Sequence, residues 1–161
     1  MNIEIICTGK LKEKYWSDAI AEYSKRLGRF CRLTVTELPE VRLADDAGYA
    51  EEQAVIRAES DAVLKKLETR KGAYVIALDV QGKQLSSEDL AAKLSDLAIA
   101  GKSSVILIIG GSLGLSQELL SQADFRLSFS KMTFPHQMMR VILLEQIYRA
   151  YKINSHEKYH K

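Results

Sequence analysis

Two apolar runs with no polar break, Tyr74-Val-Ile-Ala-Leu78 and Val105-Ile-Leu-Ile-Ile109, restrict this chain more than any other feature. A strand with one face in water alternates polar and apolar residues, whereas a strand covered on both faces reads as one continuous apolar stretch. Each run is short and bounded by turn residues, which favours a buried strand over a buried helix. The second run passes directly into Gly110-Gly-Ser-Leu-Gly114. Helical patterns alternate with strand patterns along the rest of the chain. Strands are expected at 2–7, 30–37 and 125–129, and helices at 12–27, 49–69 and 116–122. A Ser86/Asp89 capping box opens a further helix that ends near Ala100. Pro135 suits the first turn of a last helix reaching about Lys152. Gln81-Gly82 reads as a turn. Such alternation predicts an α/β fold with a mostly parallel sheet flanked by helices. The length of 161 residues suits one domain, 1–161.

Hydrophobic residues make up 47% of the chain and charged residues 27%, the balance of a soluble domain with a real core. The apolar runs fall well short of the roughly 20 residues that span a bilayer. Glu4 interrupts an already short apolar start, so no export leader is expected. A cytoplasmic protein without membrane contact follows as the expectation. Cys7 and Cys31 lack metal-type spacing and are expected to be buried free thiols.

Net charge is only +2, but it is unevenly spread. Residues 1–32 carry +3 and residues 131–161 carry +4, which leaves the middle at −5. Two basic ends would form a surface for an anionic ligand if the fold joins them; as separate solvated faces they carry no such meaning.

Glycines after a buried strand allow a sharp turn and close approach of a ligand, so the 110–114 cluster reads either as a ligand loop or as a tight turn. Its spacing is not that of a dinucleotide fingerprint. Gly101-Lys102-Ser103 ends like a phosphate loop, but Asp96 stands where that motif needs glycine. His156-Glu157-Lys158-Tyr159-His160 spells H-E-x-x-H, yet a zinc protease needs that motif on a core helix, with a third ligand usually downstream. No metal site is expected.

The last helix has a wide apolar arc through Met139, Leu143, Ile147 and Ala150, with Val141 and Leu144 extending it. Glu145, Arg149 and Lys152 gather opposite, and Met138 and Ile142 intrude on them. Burial on two sides is expected, by the core alone or by a partner subunit. Arg140 lies apart from the other charges, so its guanidinium should meet a carboxylate or a phosphate. All three histidines, at 136, 156 and 160, fall in the last 26 residues.

The block Phe129-Ser-Lys-Met-Thr-Phe-Pro-His-Gln-Met-Met-Arg140 is distinctive. Taken with Leu78-Asp79, Gln81-Gly82-Lys83, Ser86-Ser87, Gly110-Gly111-Ser112, Gly114, Tyr159-His160-Lys161, and the opening Gly9-Lys10-Leu11-Lys12 and Tyr15, the chain closely resembles the RlmH-type methyltransferases of the SPOUT superfamily. The resemblance covers essentially the whole chain. It implies a C-terminal trefoil knot, with a cofactor-binding part at about 73–161 that holds S-adenosylmethionine. It further implies a homodimer that methylates N3 of a pseudouridine in 23S ribosomal RNA, on the large subunit or the whole ribosome. Cofactor contacts carried over by motif fall at Leu78, Gly110, Phe129, Ser130, Lys131, Met132, Thr133 and Phe134. The family's tail usually reads Arg-Gly-Glu-small before Tyr-His-Lys, whereas this chain has Ser155-His156-Glu157-Lys158.

Methyl transfer to a ring nitrogen needs an aligned nucleophile and loss of the N3 proton. The expected catalytic residues are His160 or His136 as proton acceptor or relay, Arg140 on a phosphate or developing oxyanion, and Tyr159 against the base. A tail from one subunit would complete the other's pocket. The rival reading is a ribosome-binding protein that keeps the knot without catalysis.

Overall fold

The two apolar runs form neighbouring central strands of one parallel sheet. In the computed structural model, which describes residues 1–160, the elements are β1 (Asn2–Thr8), α1 (Lys14–Leu27), β2 (Arg32–Leu38), α2 (Tyr49–Glu68), β3 (Tyr74–Gln84), α3 (Ser87–Ile99), β4 (Ser104–Ile109), α4 (Gln117–Gln122), β5 (Phe125–Ser128) and α5 (His136–Asn154). The sheet order is β2-β1-β4-β3-β5, and every pair is parallel. Lys161 lies outside the described residues.

Because side chains alternate across a strand, β4 feeds two cores at once. Val105, Leu107 and Ile109 join Leu27 of α1, Leu90 and Leu97 of α3, and Met139, Leu143, Leu144 and Ile147 of α5. Ile106 and Ile108 face the other way, with Ile6, Val63 of α2 and Leu119 of α4. The result is a sheet with helices on both faces, and it explains why β4 shows no polar alternation. No helix among the described residues is long and apolar enough to cross a membrane. Cys7 and Cys31 are buried and free, and burial pushes the Cys7 thiol up to about 11.

The wide apolar arc of α5 is covered from within the chain. α1 and α3 flank it over the sheet, and Ala150 packs on Ala91 and Leu94 of α3. Two-sided burial therefore requires no partner subunit. The buried positions of α2 are Val55, Glu59, Ser60 and Val63, so two polar residues of this helix face inward. Pro135 caps α5 from just outside instead of standing in its first turn.

The Gln81-Gly82 turn is not a strand end. β3 bulges out after Leu78 and returns, so that Leu78 and Lys83 both pair with Leu127. Asp79 anchors the excursion by accepting the Gln81 N–H at 3.2 Å and by pairing with Arg126. At the return point Gly82 presses on β5: a β-carbon there would stand 2.6 Å from the Arg126 carbonyl oxygen. Backbone cannot yield as a side-chain tip can. Gly82→Ala should therefore lower stability by about 1–3 kcal/mol through overpacking, read as a reduced urea midpoint with an unchanged slope.

Candidate active site

A cavity of about 610 Å³ opens where Leu78–Val80 of β3, the end of β4 and the end of β5 meet. Ligands of open α/β sheets bind outside the carboxyl ends of the strands, which is where this cavity lies. Of the expected cofactor contacts, Leu78, Gly110, Phe129, Ser130, Met132, Thr133 and Phe134 line it. Lys131 does not: it is exposed between two lining residues. A bend fixes the 129–134 segment, in which Ser130 Oγ accepts the Met132 N–H at 3.0 Å and the Ser128 hydroxyl donates to the Ser130 carbonyl at 3.1 Å.

The glycine cluster is both a tight turn and a cavity wall. The Gly114 N–H donates to the Gly111 carbonyl at 3.1 Å, and Gly114 has φ +85°. A β-carbon on Gly110 would stand 2.9 Å from the Gly114 carbonyl, so the turn closes only around a glycine. Gly111 is pressed from behind by Glu59, whose Oε2 would lie 2.6 Å from a β-carbon there. Glu59 is 5% exposed and accepts the Val41 N–H at 2.9 Å; burial raises its carboxyl above the usual range. Its neighbour Ser60 accepts the Ser116 N–H at 2.9 Å. Sequence reasoning missed this brace from α2. Two polar residues in a strongly polar helix carry no signal of inward direction.

The first turn of α5 bounds the cavity through His136 and Met139. The first backbone amide bonded within this helix is that of Met139, to the Pro135 carbonyl at 2.9 Å. The amides ahead of it have no intrahelical partner, which gives this end of the helix a positive character. Burial first, and then the Arg140 charge, hold the His136 imidazole below its ordinary range, with Glu40 opposing.

Arg140 corrects its expected catalytic role. Its side chain is 1% exposed, and its Nη1 donates to Glu37 Oε1 at 2.8 Å. Nη2 donates to the Thr8 and Gly9 carbonyls at 2.9 and 2.8 Å. A carboxylate is indeed its partner, as expected, but the guanidinium faces the interior and is committed there. It positions the end of β1, with three of its five N–H groups spent on Glu37, Thr8 and Gly9 inside the protein.

Tyr159 and His160 do not line the cavity; they dock on α3 and α5 of their own chain. The Tyr159 hydroxyl donates to Glu145 at 3.2 Å, its ring meets Tyr148 edge-on at 5.0 Å, and the Arg149 guanidinium lies 4.8 Å from its centroid. Burial and Glu145 push its hydroxyl up to about 12. Tyr159 is therefore a neutral donor at physiological pH. His160 meets Arg149 through Nδ1 at 3.3 Å and Glu88 through Nε2 at 2.7 Å. Since arginine only donates, Nδ1 accepts and Nε2 carries the proton.

The H-E-x-x-H stretch is not a helix. α5 ends at Asn154, and His156 takes φ +53°. The His156 N–H then bonds the Ile153 carbonyl and the Glu157 N–H bonds the Lys152 carbonyl, both at 3.0 Å, which is a Schellman cap. His156 holds the left-handed position that glycine normally supplies. The two histidines cannot share a helix face, and no cluster of three metal-type ligands occurs among the described residues.

His136 sets a pH limit on stability. Its unfolded value is near 6.5 and its folded value is lower, so below about 6.5 the unfolded chain binds the extra proton. Stability present above that pH is lost as pH falls toward the folded midpoint. Urea midpoints of the native chain and of His136→Gln should run parallel above about pH 6.5 and diverge below it, with the variant losing less.

The whole of this architecture has known relatives. Residues 1–160 match the family model described as "Predicted SPOUT methyltransferase". The chain is 57% identical, over the full length of both proteins, to ribosomal RNA large subunit methyltransferase H of Clostridium novyi, and 56% identical over the full length to the protein of that name from Bifidobacterium adolescentis. Among solved structures, a probable methylase family protein of Haemophilus influenzae aligns with a TM-score of 0.59 at 16% identity, covering 99% of this chain and 70% of that one. A probable methyltransferase of Bordetella pertussis aligns with a TM-score of 0.55 at 14% identity, covering 92% and 95%. These structures share the fold, and the full-length family match together with the sequence identities is decisive: the chain belongs to the SPOUT methyltransferase family.

Proposed function

We propose that this protein is an S-adenosylmethionine-dependent methyltransferase of large-subunit ribosomal RNA, acting in the cytoplasm as a homodimer on N3 of a pseudouridine. The observation that carries this reading is the cavity at the carboxyl edge of the sheet, walled by the glycine turn and the Phe129–Phe134 segment, in a chain 57% identical to a ribosomal RNA large subunit methyltransferase. The trefoil knot implied by the sequence belongs to the same reading.

The residues present fit the cofactor. The cavity volume falls within the range of about 300–1,000 Å³ typical of small-molecule sites. Leu78 and Gly110 offer strand-end backbone for an adenine edge. Phe129 and Phe134 offer ring faces to a sulfonium. The open amides at the first turn of α5 suit a carboxylate. When bound, the cofactor supplies an electrophilic methyl group with a good leaving group already attached.

The chain's own work is then alignment and proton removal. His136, held neutral beside the cavity, is placed to take or relay the N3 proton. Tyr159, a neutral donor with an aromatic face, suits a base to be stacked or oriented. In one chain the tail folds away from the cavity, so this reading has a second copy's tail completing the site, with His160 Nδ1 freed from Arg149 as the other candidate proton acceptor. A ribosome binder without catalysis would have no use for a cavity walled by a glycine-dependent turn.

Isothermal titration with S-adenosylmethionine, alongside light scattering, tests this directly: saturable binding to a dimer is expected, and a folded dimer that binds none would overturn it. Gly110→Ala must open the turn and should weaken the cofactor at least tenfold, about 1.4 kcal/mol, while circular dichroism stays native. His160→Ala should cut turnover on unmodified ribosomes by about 10²-fold or more with cofactor affinity intact; unchanged turnover would remove it from proton transfer.

A further inference from the structure

The segment between β1 and α1 is a surface loop held by the wall of the cavity. Arg140 takes the Thr8 and Gly9 carbonyls, Gln137 Oε1 accepts the Lys12 N–H at 3.0 Å, and a β-carbon on Gly9 would lie 3.5 Å from His136 Nε2. Gly9 has φ +85°, which turns the chain outward at this point. All three α5 residues belong to the helix's first two turns, whose His136 lines the cavity. The loop is thus fixed relative to the transfer site, although it contributes nothing fully buried after Gly9.

What the loop displays is cationic and aromatic. Lys10, Lys12 and Lys14 are exposed, and the Tyr15 ring is 61% exposed, edge-on to Trp16 at 4.8 Å. Lys14 pairs with Asp18, but Lys10 and Lys12 have no ion-pair partner among the described residues. Lys131, equally unpaired, stands exposed in the segment that leads into the same helix turn. Part of each basic end, Lys10 and Lys12 from one and Lys131 from the other, thus stands on a segment that adjoins the first turns of α5. Glu13 in the loop itself and Glu40 beside Gly9 partly offset them.

We propose that Lys10 and Lys12, with Lys131 across the α5 terminus, grip phosphates of the RNA strand that flanks the target nucleotide, and that Tyr15 stacks on one of its bases. Ammonium groups on flexible stems serve as point charges for phosphate without reading sequence. An exposed ring beside them is a platform for an unpaired base. This inference rests on the RNA substrate proposed above and assigns the residues that would hold it. Fixing the grip to α5 gives it a function in alignment, since the same turn carries His136.

The test measures binding of full-length protein to ribosomes lacking the modification, across a series of salt concentrations. Each lost phosphate contact should reduce the slope of log affinity against log salt by about 0.7–0.9. Lys10→Gln/Lys12→Gln should therefore lose about 1.4–1.8 units of slope and bind at least tenfold more weakly, with S-adenosylmethionine affinity by titration unchanged. Adding Lys131→Gln should remove about one unit more. Tyr15→Ala should weaken binding with the slope preserved. Lys65→Gln/Lys71→Gln/Lys102→Gln, a control remote from this loop in sequence, should leave the slope within error. Wild-type binding with an unaltered slope in the Lys10/Lys12 variant overturns the clamp and leaves the methyltransferase reading standing. Absence of any wild-type binding, with cofactor binding intact, overturns the RNA substrate and the clamp with it.

Discussion

A single buried guanidinium, that of Arg140, ties the last helix to the ends of the first two strands. Burying such a charge is costly unless it is paired and hydrogen-bonded. Here Glu37 of β2 supplies the carboxylate, and Thr8 and Gly9 supply two carbonyls at the point where β1 runs out of ladder partners. Nε alone stays without a partner. Apolar packing could hold α5 against the sheet, but a smooth apolar contact tolerates sliding. The directed bonds of Arg140 set one position along the helix axis. His136 and Met139 thereby meet the cavity, and Gln137 reaches Lys12.

The opposite wall depends on the absence of side chains. Gly110 and Gly111 are each in contact that a β-carbon would occupy, one with the Gly114 backbone and one with Glu59. The carboxylate is therefore held against the outside of the turn by α2, while its other oxygen fastens Val41. Ser60 fastens the start of α4 in the same way. A ligand loop made of glycines would be entropically loose on its own. Buried polar contacts from a neighbouring helix give it one shape, which a preorganised site requires.

The fold was largely legible because burial writes itself into the pattern of a strand. The runs at 74–78 and 105–109 had no polar positions to spare, and both are central strands covered on two faces. The Ser86/Asp89 box capped its helix as read. The pattern failed where a contact is made by backbone: Gly82 looked like a turn because glycine permits one, yet it is present to let two strands touch. Most of the expected cofactor residues line the cavity because the motif carrying them is one continuous segment. Arg140 was correctly singled out as needing a partner, but wheel position cannot say whether that partner is a ligand or the protein's own Glu37. Glu59 was invisible, since an inward carboxylate looks the same in sequence as an outward one.

The separation of the tail from the cavity constrains how the parts can work together. The Schellman cap fixes the chain's exit from α5, with Lys152 paired to Glu157, even though His156 occupies a left-handed position that costs an L-residue about 1–2 kcal/mol. Beyond that point Lys158 is exposed, and Tyr159 and His160 are held by contacts at the surface of α3 and α5. A hydrogen bond open to solvent contributes little net stability, because water replaces either partner, so the His160–Glu88 contact is easily exchanged. The cavity wall, by contrast, is held by Arg140 and Glu59, both buried. The molecule thus pairs a pocket braced by buried polar contacts with a tail held at its surface. A tail docked in this way does not reach the cavity of its own chain, so Tyr159 and His160 can meet a pocket only from a rearranged tail or from a second copy.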